Sequence, residues 1–150
     1  MKNIFDSNEV DLVIKRINKL DAYASPLWGK MSADQMLAHC NVTYEMIYDT
    51  KHPKPNAFKR FMLKAVVKPY VVSEKPYKHN SRTAPEFVVS EPKNFVEEKA
   101  RLIDFIVKTQ KLGQDYFNNK PSHSFGKLTS TEWNSLFYKH LDHHLRQFGV

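Results

Sequence analysis

Cysteine and glycine are scarce: one cysteine, Cys40, and four glycines among 150 residues. A lone cysteine cannot close an internal disulfide, which suits a reducing compartment. So few glycines leave no glycine-rich phosphate loop. Neither GxGxxG nor GxxxxGK[ST] occurs, which removes the common routes to nucleotide binding. Long apolar runs are also missing, and none approaches the roughly 20 residues of a membrane span. The opening MKNIFDSNEVDL carries charge where a signal peptide has its apolar segment. These absences lead us to expect a cytoplasmic protein with no membrane partner.

What is present describes a globular chain. Hydrophobic residues make up 41% of the sequence, enough for residues 1–150 to form one domain with a real core. The formal charge of +7 raises nucleic acid as a partner. Its excess is concentrated in Lys51–Lys78, however, whereas the segments on either side mix both signs. A basic connecting segment is more often a solvated surface, and there is no helix-turn-helix or interleaved stacking motif, so nucleic acid is not expected. If Asn56–Lys78 folds over the open end of a bundle, it would draw in an anionic substrate or a thiol carboxylate.

Four helices can be read in order. Ser7 to Leu20 has Ser7 as a cap, with Val10, Val13, Ile14, Ile17 and Leu20 on a 3.6-residue period. A second helix starts at Ser32, where Ser32 and Gln35 form a capping box; Gln35, Met36, His39, Val42, Thr43, Met46 and Ile47 share one of its faces. The stretch from Lys51 to Ser90 is broken by prolines and leaves only one short amphipathic piece, Asn56–Val67. Ser90 is then the expected cap of a third helix, with Pro92 in its first turn and Gly113 as its stop. Residues 114–128 read as a loop, and Thr129 with Glu132 forms a second capping box for the last helix.

The two helix entries echo each other: Trp28-Gly29-Lys30-Met31-Ser32 and Phe125-Gly126-Lys127-Leu128-Thr129. Four helices with one long crossover between the second and third give an all-α, four-helix bundle. If the second and fourth helices run antiparallel, His39 comes level with His140 and His144.

Those histidines are the oddest feature of the pattern. At about 100° per residue, Trp133, Leu136, Phe137, His140, His144, Gln147 and Phe148 fall on one side of the last helix, while Lys139, Asp142, Leu145 and Arg146 point away. His140 and His144 are i and i+4, the spacing at which two rings bind one metal ion. His39 is a third imidazole in a mostly apolar stripe. Two readings follow. Either the three hold a metal and leave a position open, as catalytic sites do, or each is satisfied separately in the core by a carbonyl, a carboxylate or water.

The tail HLDHHLRQFG, with FGKLTSTEW upstream and the entry WGKMSADQMLAHC, resembles the DinB/YfiT-like metalloenzyme superfamily, in particular a subgroup whose last helix ends in this kind of histidine cluster. TAPEF at Thr83–Phe87 is similar to that subgroup's crossover. The resemblance implies up-down-down-up topology and a divalent metal, zinc or nickel, held by His39, His140 and His144. Many relatives continue His-Arg-Gly-Gln; here Leu145-Arg146-Gln147 follows His144, so the glutamine keeps its place, the glycine is absent, and a substrate role for the displaced arginine does not carry over.

The superfamily includes thiol-dependent transferases and isomerases, as well as proteins described as hydrolases. The implied function is a metal-dependent enzyme that activates a low-molecular-weight thiol or a water molecule on a small-molecule substrate. The alternative is a non-catalytic, metal-containing binding bundle. His143 is the nearest candidate base, ahead of Glu45, Asp49 and Asp142. Gln147, on the same face one turn past His144, would orient a ligand or a bound water without itself holding the metal. Cys40, about 100° round the helix from His39, is expected to be a buried apolar residue, and dimerisation is left open.

Overall fold

The computed structural model describes residues 2–150. It is mostly helical, with α1 (Ser7–Lys19), α2 (Ala33–Tyr48), α3 (Ala57–Met62), a π-turn (Leu63–Val67), α4 (Lys68–Val71), a 3-10 turn (Pro85–Phe87), α5 (Phe95–Phe117), strands β1 (Lys120–Ser122) and β2 (Gly126–Leu128), and α6 (Ser130–Gln147). The longer helices α1, α2, α5 and α6 bury their apolar stripes in one core, which includes Ile17, Leu37, Tyr44, Leu102, Ile106, Trp133, Phe137 and Leu141.

Helix entries follow local hydrogen-bond chemistry. The box of Ser32 and Gln35 opens α2, and that of Thr129 and Glu132 opens α6, as the sequence spacing implies. Two other entries correct the expectation. Asp6, not Ser7, caps α1, its carboxylate accepting from the Asn8 and Glu9 N–H groups at 2.9 and 3.2 Å. Asn94, not Ser90, caps α5 by accepting from Val96 and Glu97. Residues 90–93 are pinned to the start of α2 instead: Gln35 Nε2 donates to the Ser90 carbonyl, and the Lys93 N–H donates to Asp34.

Gly113 interrupts α5 rather than ending it. Its φ of +76° breaks the helix, and a further turn carries Phe117 into the core beside Phe5, Trp133 and Phe137. The expected loop at 114–128 contains the antiparallel pair β1–β2, with Lys120 opposite Leu128, so the protein is not purely all-α. Gly126, at φ +73°, closes that hairpin.

Contacts between helices fix their relative directions. From Asn41–Glu98 through Glu45–Arg101 to Tyr48–Thr109, partners on α2 and α5 advance together, so these two run parallel. Between α2 and α6 the order reverses: Thr43 meets His140, and Trp28, just before α2, meets Gln147. Ile4 with Asn134 and Arg16 with Asp142 put α1 parallel to α6. The antiparallel pairing of α2 and α6 brings the three histidines level.

Two residues assigned outward on α6 are buried. Leu145 lies in the core, and Lys139 is covered by the crossover, its Nζ donating to the Tyr70 and Ser73 carbonyls at 2.7 and 2.6 Å. The helix is wrapped on more sides than a single-stripe reading allows.

Candidate metal centre

His39 comes from the middle of α2, and His140 and His144 from successive turns of α6. Their ring centroids lie 5.0, 4.5 and 4.8 Å apart, and one nitrogen from each lies within 4.8 Å of the others. His39 and His144 are buried, while His140 keeps partial exposure. The cluster therefore sits beneath the surface with one side reaching solvent.

Hydrogen bonding aims the Nε2 atoms inward. His39 Nδ1 is 2.8 Å from the Phe87 carbonyl, which can only accept, so Nδ1 carries the proton and Nε2 a lone pair. Gln147 Nε2 donates to the Trp28 carbonyl at 2.6 Å, which orients the amide so that its Oε1 accepts from His144 Nδ1 at 2.8 Å. His144 Nε2 is thereby also a lone pair. His140 Nδ1 faces the Thr43 hydroxyl at 3.1 Å, and its Nε2 lies 3.0 Å from His39 Nε2.

Burial favours the uncharged rings. It pushes His39 below its ordinary value, against the opposing Phe87 carbonyl. Burial, then the neighbouring His144 and His39, holds His140 well below the usual imidazole range. Burial, then His39, brings His144 down to about 3, against the Gln147 hydrogen bond. Neutral imidazoles, two with lone pairs fixed inward, make a region that attracts a cation. One Nε2–H of His140 can satisfy one of these lone pairs, not both. Two imidazole nitrogens on a tetrahedral zinc lie about 3.3 Å apart, given bonds of about 2.0–2.1 Å. The His39–His140 distance is near this, and ligation would draw in the third ring.

Each Nδ1 thus has a separate partner, as the core-histidine reading requires, yet the Nε2 atoms converge, as the metal reading requires. The partners behind a metal-binding imidazole fix its tautomer and orientation, so the Nδ1 contacts serve the second reading as well.

The remaining candidates divide. Gln147 bridges His144 Nδ1 and the Trp28 carbonyl. His143 is half-buried beside the cluster, 5.0 Å from the His144 ring, with Trp28 and Tyr77 each 5.6 Å away. Burial, then His79 and His39, lowers its proton affinity, opposed by Asp142.

The carboxylates are engaged elsewhere. Glu45 is buried among Arg101, Lys51 at 2.5 Å and His52 at 2.8 Å; burial pushes its carboxyl up, but these partners hold it below its ordinary value. Asp142 pairs with Arg16 and Arg146 at 2.8 Å each, and Asp49 accepts from the Thr50 and Lys51 N–H groups. Cys40 is buried with its Sγ on Met36, and burial pushes its thiol up.

Sequence reasoning missed the Phe87 and Trp28 carbonyls, and His79, which stacks on Trp28 at 3.7 Å. Main-chain acceptors leave no residue-type signal. Thr43 was legible in principle, because it lies one turn from His39 on the same face. Gly29 also serves the site: at φ +83°, it approaches so closely that a Cβ there would lie 2.6 Å from Gln147 Nε2.

The chain belongs to the family described as "Protein of unknown function (DUF1569)", whose model matches residues 2–149. No curated protein and no solved structure matches it.

Proposed function

We propose that His39, His140 and His144 hold a divalent metal, zinc or nickel, and that the protein is a metal-dependent enzyme acting on a small molecule with a low-molecular-weight thiol or water as nucleophile. The observation that carries this reading is the convergence of three neutral imidazoles whose Nδ1 atoms are each occupied from behind. When bound, a divalent metal with three nitrogen ligands and an open position supplies Lewis acidity sufficient to activate a thiol or water near neutral pH.

The chain's own residues set the rest. Phe87, Thr43 and Gln147 lock the ligand rings, which removes rotamer freedom that binding would otherwise have to freeze. His143, neutral at pH 7 and adjacent to His144, accepts a proton from the incoming nucleophile. Trp28, Tyr77 and His79 crowd His143 and limit its contact with bulk water.

The resemblance to the DinB/YfiT-like superfamily accords with this reading. So do the helix directions, which support an up-down-down-up bundle. A non-catalytic metal-containing bundle is favoured by one observation, that Glu45, Asp49 and Asp142 are all committed to other partners, leaving His143 as the sole base candidate among those named.

Elemental analysis of untagged protein tests the metal. About one divalent ion per chain is expected in the wild type, lost in His140→Ala and in the double variant His39→Ala, His144→Ala. Metal-free wild type, with both variants folded, would return the histidines to a purely structural role. Given the metal, a screen of small thiols with electrophilic acceptors, comparing wild type with His143→Ala, separates enzyme from binding module.

A further inference from the structure

The crossover carries a surface that the metal centre does not use. Residues 51–78 hold eight Lys and Arg against one acidic residue, Glu74, a net of +7. That equals the formal charge of the whole chain, so the remaining positions balance to zero. Helical residues 57–71 run through the middle of this segment. On them Phe58, Phe61, Met62, Ala65 and Val66 recur at i, i+3, i+4, i+7 and i+8, the spacing of one apolar helix face.

That face is turned outward. Phe58 is 76% exposed, Phe61 68% and Val66 66%, with Met62 and Ala65 also exposed. Leu63, Val67 and Val71, on the opposite side, are partly covered by the rest of the protein. Lysines and arginines flank the stripe. Lys51, Lys59 and Lys68 form ion pairs with Glu45, Glu86 and Glu132. Among the described residues, Lys54, Arg60, Lys64, Lys75 and Lys78 form none. Behind the stripe the segment is anchored, because Lys139 holds the Tyr70 and Ser73 carbonyls.

We propose that residues 57–71 are an interfacial helix that docks the protein on an anionic bilayer surface, Phe58, Phe61, Met62 and Val66 entering the headgroup–acyl boundary and the surrounding Lys and Arg contacting lipid phosphates. A basic polar rim around a phenylalanine-rich apolar face is the composition such helices have, and it requires no spanning segment. No helix of the described residues is long and apolar enough to cross a membrane; this helix lies on one. The expectation of no membrane partner rested on the missing span and the missing signal segment, neither of which bears on a surface-bound helix. Nucleic acid would use the charge but leave Met62 and Val66 without a role, since backbone neutralisation and base stacking need only cations and aromatic rings. The proposal does not depend on the metal centre.

Flotation of the full-length protein with vesicles tests it, comparing pure phosphatidylcholine with a mixture containing about one-third phosphatidylglycerol. We expect binding to the anionic vesicles that weakens with salt, and little to the neutral ones. Phe58→Ser with Phe61→Ser should reduce partitioning at least about tenfold. Arg60→Gln with Lys64→Gln should reduce it about twenty-five-fold, at roughly fivefold per basic residue. All four side chains are exposed, so thermal melting and metal content should match the wild type.

Three results would overturn the proposal. One is absence of binding to anionic vesicles. The second is vesicle binding indifferent to both variants. The third is a concentration-dependent dimer, or oligonucleotide binding, in place of vesicle binding; loss of the dimer in the phenylalanine variant would assign the face to a second copy, and oligonucleotide binding that survives that variant would assign the charge to nucleic acid.

Discussion

Replacing Gly29 by alanine should disturb a histidine it never touches. The new Cβ would stand 2.6 Å from Gln147 Nε2, closer than real carbon–nitrogen contacts allow. A free glutamine would swing aside at little cost. This one is buried and held at both ends, by the Trp28 carbonyl and by His144. Alanine at φ +83° costs about 1 kcal/mol by itself. Displacing the amide strands a buried N–H of His144 and the Trp28 carbonyl, at roughly 1–3 kcal/mol each, so the variant should lose about 3–7 kcal/mol. Gln147→Ala strands the same two groups and should lose about 2–6 kcal/mol. In the double variant there is no amide to clash with, and Gly29→Ala adds only its backbone cost of about 1 kcal/mol. The two effects should therefore overlap by about 2–6 kcal/mol, measured by urea denaturation of metal-free protein as a double-mutant cycle. Simple additivity would refute the argument, because it would mean that Gly29 serves the turn alone and Gln147 is not held in place.

Three other outcomes follow from the same geometry. His144 is held at about 3 in the fold against about 6.5 unfolded. The unfolded chain thus binds more protons between these values, and stability should fall as pH drops. From about pH 7 to about pH 5, His144 alone should remove about 2 kcal/mol in metal-free protein, and a flat urea-melt profile over that window would show that the rings are not kept neutral. Thr43→Val keeps the shape of the side chain and removes the hydroxyl behind His140; metal affinity, followed by chelator competition, should drop at least about tenfold with little change in the melting curve. Lys139→Met withdraws the donor from two carbonyls of the crossover, so limited proteolysis should cut within residues 57–73 faster than in wild type.

The sequence revealed these features unevenly, for physical reasons. Capping boxes are local, spanning three residues, and both were readable. His39, His140 and His144 were readable as anomalies in apolar stripes, and their depths match if α2 and α6 run antiparallel, which the sequence alone left as a condition. Asp6 and Asn94 were displaced from the expected caps by one and four residues, since several polar side chains compete at each entry and only the backbone path decides among them. The hairpin has three residues per strand, one of them Pro121, too few for alternation to register. Lys139 and Leu145 were placed outward because a single helix cannot show that a distant segment will cover its far side. The groups behind the ligands are partly main-chain atoms, to which residue identity is blind.

That last point bears on how freely the crossover can change. It meets the rest of the protein through peptide carbonyls, Phe87 at His39, Tyr70 and Ser73 at Lys139, Ser90 at Gln35, and through rings, Phe87 against His39 and His140, Tyr77 against His143, and His79 on Trp28. Lys68 with Glu132 adds an ion pair. A carbonyl is the same whatever residue bears it. Outward positions such as Phe58, Phe61 and Val66 can therefore change in side-chain character without touching the groups that orient the imidazoles, whereas Tyr77, His79 and Phe87 cannot. The bundle and the carbonyls that face it thus set the imidazoles, and the outward face of residues 57–66 is free to vary independently of them.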